Sequence, residues 1–249
     1  MNSFDDLKAV LLVGGMGTRL RSVVPSTPKP MASVGDRPFL ELLVRQLRYQ
    51  GIRRLVMCTG YRAQQIEQEL GDGRSLDITI EYSREAHPLG TAGAVKFAEP
   101  LLQDARDFLV MNGDSFMEMD FGSLIGFHRQ SGGIASMAVF RTKNEMRYGT
   151  VQVTPDGLVT GFAEKTEADP KGLVNAGVYI FNRRILELIP DGPVSLERDV
   201  FPKLLPHKVY ALEQHGVFID IGTPEDYARA QELFDRLCAA AGGKTTSAL

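Results

Sequence analysis

The sequence contains few of the residues that stabilise small secreted or zinc-bound domains. Its 249 residues include two cysteines and four histidines. Cys58 and Cys238 lie far apart in apolar sequence, which suits free thiols in a reducing compartment and argues against a disulfide scaffold. The histidines show no metal-ligand spacing, so we expect no zinc site. A chain of this length can bury enough surface to fold without disulfides or metal.

The sequence also lacks a large charge excess and long apolar runs. The balance of 28 basic and 31 acidic residues gives a net charge of −3 at pH 7, and no window concentrates lysine and arginine, so we expect no nucleic-acid partner. The first apolar run, residues 9–13, is too short for an export signal and has no basic segment before it. No stretch approaches the ~20 apolar residues of a membrane span. We therefore expect a cytoplasmic protein without a membrane partner.

Short apolar runs alternate with longer amphipathic stretches, a pattern typical of strands and helices in a parallel α/β sheet. We predict strands at residues 9–13, 53–59, 78–82, 107–111, 134–141 and 174–181, and a hairpin over 151–162. We predict helices at residues 39–50, 63–70, 92–102, 121–130, 183–189 and 224–241. No internal repeat or low-complexity linker divides the chain.

A glycine-rich turn, GGMGTRL at residues 14–20, follows the first predicted strand. Glycines let backbone N–H groups approach an anion, and a helix start favours negative charge, so the turn predicts a phosphate cradle. It is neither a dinucleotide fingerprint, because Leu20 replaces the third glycine, nor a P-loop, because no Gly-Lys-Ser/Thr closes it. Arg19 and Lys29 supply two cations, which suits a polyphosphate, and we expect the prolines beside Lys29 to keep it on an extended segment.

The segments LLVGGMGTRL (11–20) and TPKPMASVGDRPFLE (27–41) resemble the signature of the sugar-1-phosphate nucleotidyltransferases. Further matches follow in the family's order: PLGTAGAVK, MNGD, RYGTV, AEK, NAGVY and FIDIGTPEDY. The resemblance implies a Rossmann-like three-layer α/β sandwich with a mixed, mostly parallel central sheet. It also implies a single domain over residues 1–241, mainly nucleotide-binding to 114 and mainly sugar-phosphate-binding from 115. Residues 242–249 are expected to form a flexible tail.

The resemblance implies that a sugar 1-phosphate attacks the α-phosphorus of a nucleoside triphosphate and that pyrophosphate leaves. Arg19, Lys29 and Asp114 would be catalytic, and Asp114 and Asp220 would hold Mg²⁺. Oxygen ligands suit Mg²⁺, and an unpaired carboxylate would be costly in the apolar strand around Asp220. Further nucleotide contacts would come from Leu12, Gly14, Gly15, Gly17, Thr18, Glu85, Gly90, Thr91 and Gly113. Sugar-phosphate contacts would come from Gly149, Glu164, Lys165 and Asn175. Taken alone, Asp114 in Asn-Gly-Asp also suits a helix cap or turn.

The expected base is guanine. Glu85 precedes PLGTAG, where pyrimidine-using relatives commonly carry glutamine. An ionised carboxylate only accepts hydrogen bonds, which suits the N1–H and N2–H₂ groups of guanine, and PLGTAG resembles the guanylyltransferase branch. GTP is therefore the expected nucleotide, with a uridylyl or thymidylyl enzyme for a hexose 1-phosphate as the alternative.

The expected acceptor is a heptose phosphate. SLERDVFPKLL (195–205), RYGTV and FIDIGTPEDY resemble D-glycero-D-manno-heptose 1-phosphate guanylyltransferases, with mannose 1-phosphate as the alternative acceptor. Arg147 and Arg198 are candidates for contacts to the heptose tail, although both also suit a solvated surface. A nucleotide-sugar-binding regulatory relative without activity is the non-enzyme alternative. The apolar, Ala-rich C-terminal helix could serve as a homo-oligomer interface.

Overall fold

The computed structural model describes Phe4 and residues 6–142, 150–163 and 172–242. Its strands are β1 Lys8–Leu12, β2 Ser33–Val34, β3 Arg37–Pro38, β4 Arg54–Thr59, β5 Thr79–Arg84, β6 Asp107–Asn112, β7 Ser115–Met117, β8 Ala135–Arg141, β9 Thr150–Val153, β10 Val159–Ala163, β11 Leu173–Asn182, β12 Val209–Glu213 and β13 Phe218–Asp220. Its α-helices are α1 Phe39–Tyr49, α2 Ala63–Leu70, α3 Gly90–Phe97, α4 Phe121–Ser131, α5 Phe201–Leu204, α6 Pro224–Glu232 and α7 Phe234–Ala240.

Nine strands form one sheet. Seven follow the order β10-β9-β11-β6-β1-β4-β5, and β8 joins it by pairing with both β11 and β12. Among the described strands, β10 and β11 run opposite to the other members of the sheet. The central sheet is therefore mixed and mostly parallel, which confirms the predicted fold class.

Apolar residues alternate between the two faces of the sheet and define a core on each. Ala9 and Leu11 of β1 belong to the cluster that includes the buried face of α1, whereas Val10 belongs to the cluster that includes α3. Each fully buried leucine or phenylalanine in these cores contributes about 1.5–3 kcal/mol relative to an exposed one. Helices thus cover both faces, as in a three-layer sandwich.

In helix α1, the sequence explains both the buried face and the position where the helix ends. Its buried residues recur at helical spacing and include Phe39, Leu43 and Leu47. The next turn closes when the Gly51 N–H donates to Arg48 O at 3.0 Å and the Ile52 N–H donates to Leu47 O at 3.0 Å. Gly51 has a φ of 88°, a left-handed conformation that glycine adopts without steric cost. The predicted helix end before this glycine is confirmed.

Three predicted helices differ in the structure. The helix predicted at 92–102 ends at Phe97 and continues as the 3₁₀ helix Glu99–Leu102, because Pro100 cannot donate the next helical hydrogen bond. The helix predicted at 183–189 is the 3₁₀ helix Arg183–Glu187. The helix predicted at 224–241 is two helices that meet at Leu233, whose φ of −94° and ψ of 5° leave the α-helical range.

The sheet brings several loops to one edge. Leu12 at the end of β1 is in register with Cys58 of β4 and Asn112 of β6, so these parallel strands end together. Loops that follow such strand ends form ligand crevices in open α/β sheets. Beyond this edge, the antiparallel pair β7–β13 sets Ser115 opposite Asp220. In the described part of the chain, no helix combines the length and apolarity that crossing a membrane requires.

Candidate active site

Three charged side chains from distant parts of the chain meet beyond the ends of β1 and β6. The Lys29 ammonium donates to Asp114 Oδ2 at 2.7 Å and to Asp220 Oδ1 at 3.3 Å. Asp114 lies two residues beyond β6, and Asp220 is the last residue of β13. The fold therefore brings together Lys29, Asp114 and Asp220, which we call the Lys29 cluster.

The Lys29 cluster holds two carboxylates and one ammonium group. Burial raises the pKa of Asp220, and the charge of Asp114 raises it further. Lys29 and the Gly222 N–H, which donates to Asp220 Oδ1 at 2.7 Å, act in the opposite direction. With both carboxylates ionised, the cluster carries an excess negative charge that a further cation would offset.

The donor set of this cluster fits a magnesium ion. Mg²⁺ prefers oxygen ligands and is usually held by one or two carboxylates together with substrate phosphates and water. Asp114 and Asp220 supply two carboxylates close to a single ammonium group. Over the described ranges, no group of three or more His, Cys, Asp or Glu side chains could hold a metal ion. A magnesium ion here would need phosphate or water oxygens to complete its coordination.

A cavity of about 200 Å³ adjoins the cluster. Its wall includes Gly17, Thr18 and Arg19 of the glycine-rich loop. Gly17 has a φ of 57°, and a Cβ there would lie 2.7 Å from Lys29 Cβ, so glycine lets the loop lie against the lysine. Arg19 is exposed and forms no ion pair with a described residue, which leaves its guanidinium donors available to an anion.

Two predictions about local structure were wrong, one for the glycine-rich loop and one for Lys29. Across residues 13–38, all of which are described, the predicted helix start is only the 3₁₀ turn Thr18–Leu20, and the first α-helix begins at Phe39. Positive charge at the cavity therefore comes from Arg19, Lys29 and backbone N–H groups rather than from a long helix. Lys29 does not lie on an extended segment. Pro28 is extended, but Lys29 opens the 3₁₀ helix Lys29–Met31 with Pro30 in its first turn, where a fixed proline φ is compatible with helix.

A second cavity of about 290 Å³ lies beside the first. Leu12, Gly15 and Asp114 line both cavities, so a ligand that filled the two would pass the Lys29 cluster. The second cavity is also lined by Met16, Cys58, Pro88, Ala94 and Asn112. Burial raises the pKa of the Cys58 thiol to about 12, so this cysteine stays a neutral wall residue.

Glu85 sits at the side of the second cavity. Its Oε2 accepts a hydrogen bond from the Leu89 N–H at 3.1 Å. Its Oε1 lies between Gly14 and Gly60, where a Cβ on either glycine would be 2.6 or 2.7 Å away. Partial burial raises the pKa of Glu85, and the Leu89 hydrogen bond lowers it. The two glycines therefore create the space that this carboxylate occupies.

The remaining sequence-predicted residues divide into four groups. Gly90 and Thr91 line the second cavity, and the Gly113 N–H donates to Leu12 O at 3.0 Å, which joins the loops after β1 and β6. Asn175 lies on β11 and its Nδ2 donates to the Tyr179 hydroxyl at 2.8 Å. The sugar-phosphate candidates Gly149, Glu164 and Lys165 lie outside the described residues, as does Arg147. The side chain of Arg198 is exposed.

Comparison with known protein families gives a match over nearly the whole chain. The sequence profile of the nucleotidyl transferase family matches residues 8–236. The chain belongs to the nucleotidyl transferase family. This confirms the family resemblance of the sequence motifs at that level.

Relatives in the nucleotidyl transferase family include longer chains. Mannose-1-phosphate guanylyltransferase of Mycobacterium tuberculosis is 39% identical over 226 residues, which are 89% of this chain and 62% of the relative. The catalytic subunit beta of mannose-1-phosphate guanylyltransferase of Drosophila melanogaster is 34% identical over 230 residues, or 91% and 62%. The chain thus spans about 62% of the length of these relatives. The structure of HddC from Yersinia pseudotuberculosis complexed with GMP-PN has a TM-score of 0.82 and 33% identity, covering 92% of this chain and 99% of that one.

Sequence reasoning missed several residues at the site of this nucleotidyl transferase. Gly222 lines the first cavity, and its N–H holds Asp220. Asn112 lines the second cavity, and its Oδ1 is buried without a hydrogen-bond partner. Gly222 follows Asp220 in FIDIG and Asn112 precedes Asp114 in MNGD, so their position within the recognised motifs was a signal for both. Gly60 carries no such motif, because its contact with Glu85 exists only in the fold.

Proposed function

We propose that this chain transfers a guanylyl group from GTP to a sugar 1-phosphate and releases pyrophosphate. The observation that carries the proposal is the Lys29 cluster at the junction of two cavities, one lined by Arg19 and the glycine-rich loop and the other by Glu85. The first suits the leaving phosphates and the second suits the nucleoside. The α-phosphorus would then lie beside Lys29 and Asp114.

The chemistry is a displacement at the α-phosphorus. An oxygen of the sugar 1-phosphate forms the new P–O bond as the bond to the β-phosphate oxygen breaks, and pyrophosphate takes the bonding electrons. The protein needs no nucleophile for this step and acts by bringing two anions together and by offsetting their charge. Lys29 would contact the α-phosphate and the incoming phosphate, and Arg19 would hold the leaving β- and γ-phosphates.

Asp114 and Asp220 would hold Mg²⁺ in this proposal. When bound, the ion supplies positive charge to the phosphate oxygens as charge develops on the leaving group. Residues of the chain itself hold the two carboxylates in position. Lys29 keeps the two carboxylates close together by bonding both, and the Gly222 N–H orients Asp220.

Guanine is the proposed base because Glu85 presents a carboxylate at the second cavity. An ionised carboxylate can accept hydrogen bonds from N1–H and N2–H₂ of guanine together. Uracil and thymine present one donor and two acceptors on the same side, so they would leave acceptors facing a carboxylate. Relatives described as mannose-1-phosphate guanylyltransferases and a neighbour solved with GMP-PN support the same base.

The acceptor proposed is D-glycero-D-manno-heptose 1-phosphate, with mannose 1-phosphate as the competing choice. The heptose assignment rests on the resemblance carried by SLERDVFPKLL and FIDIGTPEDY. The mannose alternative is supported by the curated relatives, which are named for that sugar. The two acceptors share ring stereochemistry and differ at the exocyclic tail, so selectivity depends on room and polar contacts there.

A substrate matrix tests the proposal. Pyrophosphate release is measured with Mg²⁺ for GTP, ATP, UTP, CTP and dTTP against heptose, mannose, glucose and N-acetylglucosamine 1-phosphates. We expect the highest kcat/KM for GTP with the heptose phosphate. A higher value for another pair would replace the substrates but keep the reaction. Silence throughout, with GTP or GDP-sugar still binding in calorimetry, would favour the regulatory binding protein.

A further inference from the structure

Glu197 accepts hydrogen bonds from three hydroxyl groups in three parts of the chain. Its Oε2 accepts hydrogen bonds from Thr91 Oγ1 at 3.0 Å and from Ser195 Oγ at 2.9 Å, and its Oε1 accepts one from the Tyr179 hydroxyl at 3.3 Å. Glu197 belongs to the π-helical turn Leu196–Val200, which lies outside the Lys29 cluster. Such turns are rare and are frequently found at functional sites.

One arm of this network holds the start of α3. The Leu196 N–H donates to Thr91 Oγ1 at 2.7 Å, so the hydroxyl accepts from the backbone and donates to Glu197. Val194 O accepts from the Ala92 N–H at 2.9 Å and from the Gly93 N–H at 3.2 Å. Because the start of α3 lines the second cavity, the segment that carries Glu197 is fixed to the wall of the proposed nucleoside site.

The other arm reaches Asn175. Tyr179 is fully buried, and burial together with the charge of Glu197 raises its pKa well above the usual value, so its hydroxyl stays protonated. Asn175 Nδ2 donates to this hydroxyl at 2.8 Å, and Asn175 Oδ1 accepts from the Gly177 N–H at 2.9 Å. Both polar groups of the Asn175 amide are thereby oriented.

The direction of these hydrogen bonds depends on the carboxylate. An ionised Glu197 has no proton to donate, so the Tyr179 hydroxyl must donate to it and must offer its oxygen to Asn175. An amide at position 197 could donate to Tyr179 instead, and the hydroxyl could then point its proton at Asn175. Glu197 therefore sets the direction of the Tyr179 hydroxyl, which accepts from Asn175 Nδ2, while the Gly177 N–H holds Asn175 Oδ1.

We propose that Glu197 is a positioning residue that acts through Tyr179 to orient Asn175 for the sugar 1-phosphate, while its bond to Thr91 ties this sugar-side array to the nucleoside cavity. This inference rests on the proposed function. Its consequence is a selective effect on the acceptor: loss of the carboxylate weakens sugar 1-phosphate binding more than nucleotide binding.

Steady-state kinetics of Glu197→Gln tests the proposal. We expect the KM for the sugar 1-phosphate to rise by about fivefold, the factor that corresponds to one hydrogen bond of about 1 kcal/mol. The KM for GTP should change by less than about twofold, because no hydrogen bond to nucleotide is removed. The same charge removed at exposed Glu187, by Glu187→Gln, should change neither value.

A double-mutant cycle with Tyr179→Phe separates positioning from folding. If Glu197 acts through Tyr179, adding Glu197→Gln to Tyr179→Phe should raise the sugar 1-phosphate KM by less than about twofold further. Equal effects in both backgrounds, or an equal rise in both KM values, would overturn the proposal. If Glu197→Gln does not fold, Glu197→Asp keeps the acceptor-only group and should retain the wild-type ratio of the two KM values.

A measurement without turnover keeps this inference distinct from the proposed function. The side-chain amide of Asn175, assigned in an ¹⁵N spectrum by its loss in Asn175→Asp, should shift in Glu197→Gln and in Tyr179→Phe but not in Glu187→Gln. An unmoved amide signal in Glu197→Gln would refute the positioning role. A shifted signal in a protein that is silent across the substrate matrix would support the array and refute the proposed activity.

Discussion

The two ends of the central sheet surround their carboxylates differently. Asp107 opens β6 and Asp114 lies just beyond its other end. Asp107 accepts a hydrogen bond from Asn182 Nδ2 at 3.2 Å and lies 3.8 Å from His128 Nε2 and 3.9 Å from Arg129 Nε. Asp114, in contrast, pairs with Lys29, which also donates to Asp220, and accepts one further hydrogen bond from the Ser115 hydroxyl at 3.2 Å.

The same contrast appears along β5. Glu81, within β5, pairs at 3.1 Å with Lys8, the first residue of β1. Glu85, one residue beyond the strand, accepts one backbone hydrogen bond and forms no ion pair with a described cation. At one end, the chain supplies the partners of its own charges. At the other, it leaves charge that a ligand can offset. We call the first, where β6 begins, the closed end, and the second, where the proposed substrates would lie, the binding end.

The largest expected effect comes from removing charge at each end of β6. Asp114→Asn should lower kcat by about a thousandfold, or about 4 kcal/mol of transition-state stabilisation, because it removes a proposed magnesium ligand. Its melting temperature should change little, because the ion pair lost with Lys29 is offset by the removal of repulsion with Asp220. Kinetics at saturating Mg²⁺ and thermal unfolding measure the two quantities.

Asp107→Asn is the matched control for that prediction. It should retain kcat but lose about 1–3 kcal/mol of unfolding free energy, because a buried, hydrogen-bonded charge among basic partners is removed. Near-wild-type turnover in Asp114→Asn would contradict the metal assignment. Equal losses of activity in both variants would contradict the functional difference between the two ends.

A smaller effect is expected from Glu85, just beyond β5, when it is compared with Glu81 within the strand. Glu85→Gln should lower the ratio of kcat/KM for GTP to that for UTP by about tenfold, because an amide can accept one of the guanine donors but not both without presenting its own N–H₂. Glu81→Gln removes the same charge near the same strand and should leave the ratio unchanged. Competition assays with mixed nucleotides measure it, and an unaltered ratio in Glu85→Gln would exclude Glu85 from base selection.

The sequence predicted which residues form the binding end better than it predicted their local geometry. Strand-and-loop periodicity located β1, β4 and β6, and motif order brought Arg19, Lys29, Asp114 and Asp220 into one hypothesis. Parallel strands end at a common edge, so strand assignments alone implied that their loops meet.

The missed features depend on contacts between residues that are distant in sequence. β12 was not predicted as a strand, because only its parallel pairing with β8 gives Val209–Glu213 a place in the sheet. The pairing of β7 with β13 was also missed, since three-residue strands carry too little periodicity to be recognised. The Glu197 array likewise joins residues that are 106 and 18 positions apart.

The smallest effect should appear in the pH dependence of stability, and it belongs to the closed end. Burial lowers the pKa of His128 below its usual 6.5; Asp107 opposes this, and Arg129 and Arg106 add to it. Below about pH 6.5, the unfolded chain therefore takes up a proton that the folded chain binds only at lower pH. Unfolding free energy should fall as pH decreases from 7.5 to 5.5.

Urea unfolding at several pH values checks this expectation. His128→Gln should flatten the slope between pH 7.5 and 5.5, because the variant has no imidazole to protonate in either state. His87→Gln removes an exposed ring near the binding end and should keep the wild-type slope. If His128→Gln and the wild type lost stability in parallel over this range, another group would have to titrate there. The closed end would then not contain the group that makes folding sensitive to pH.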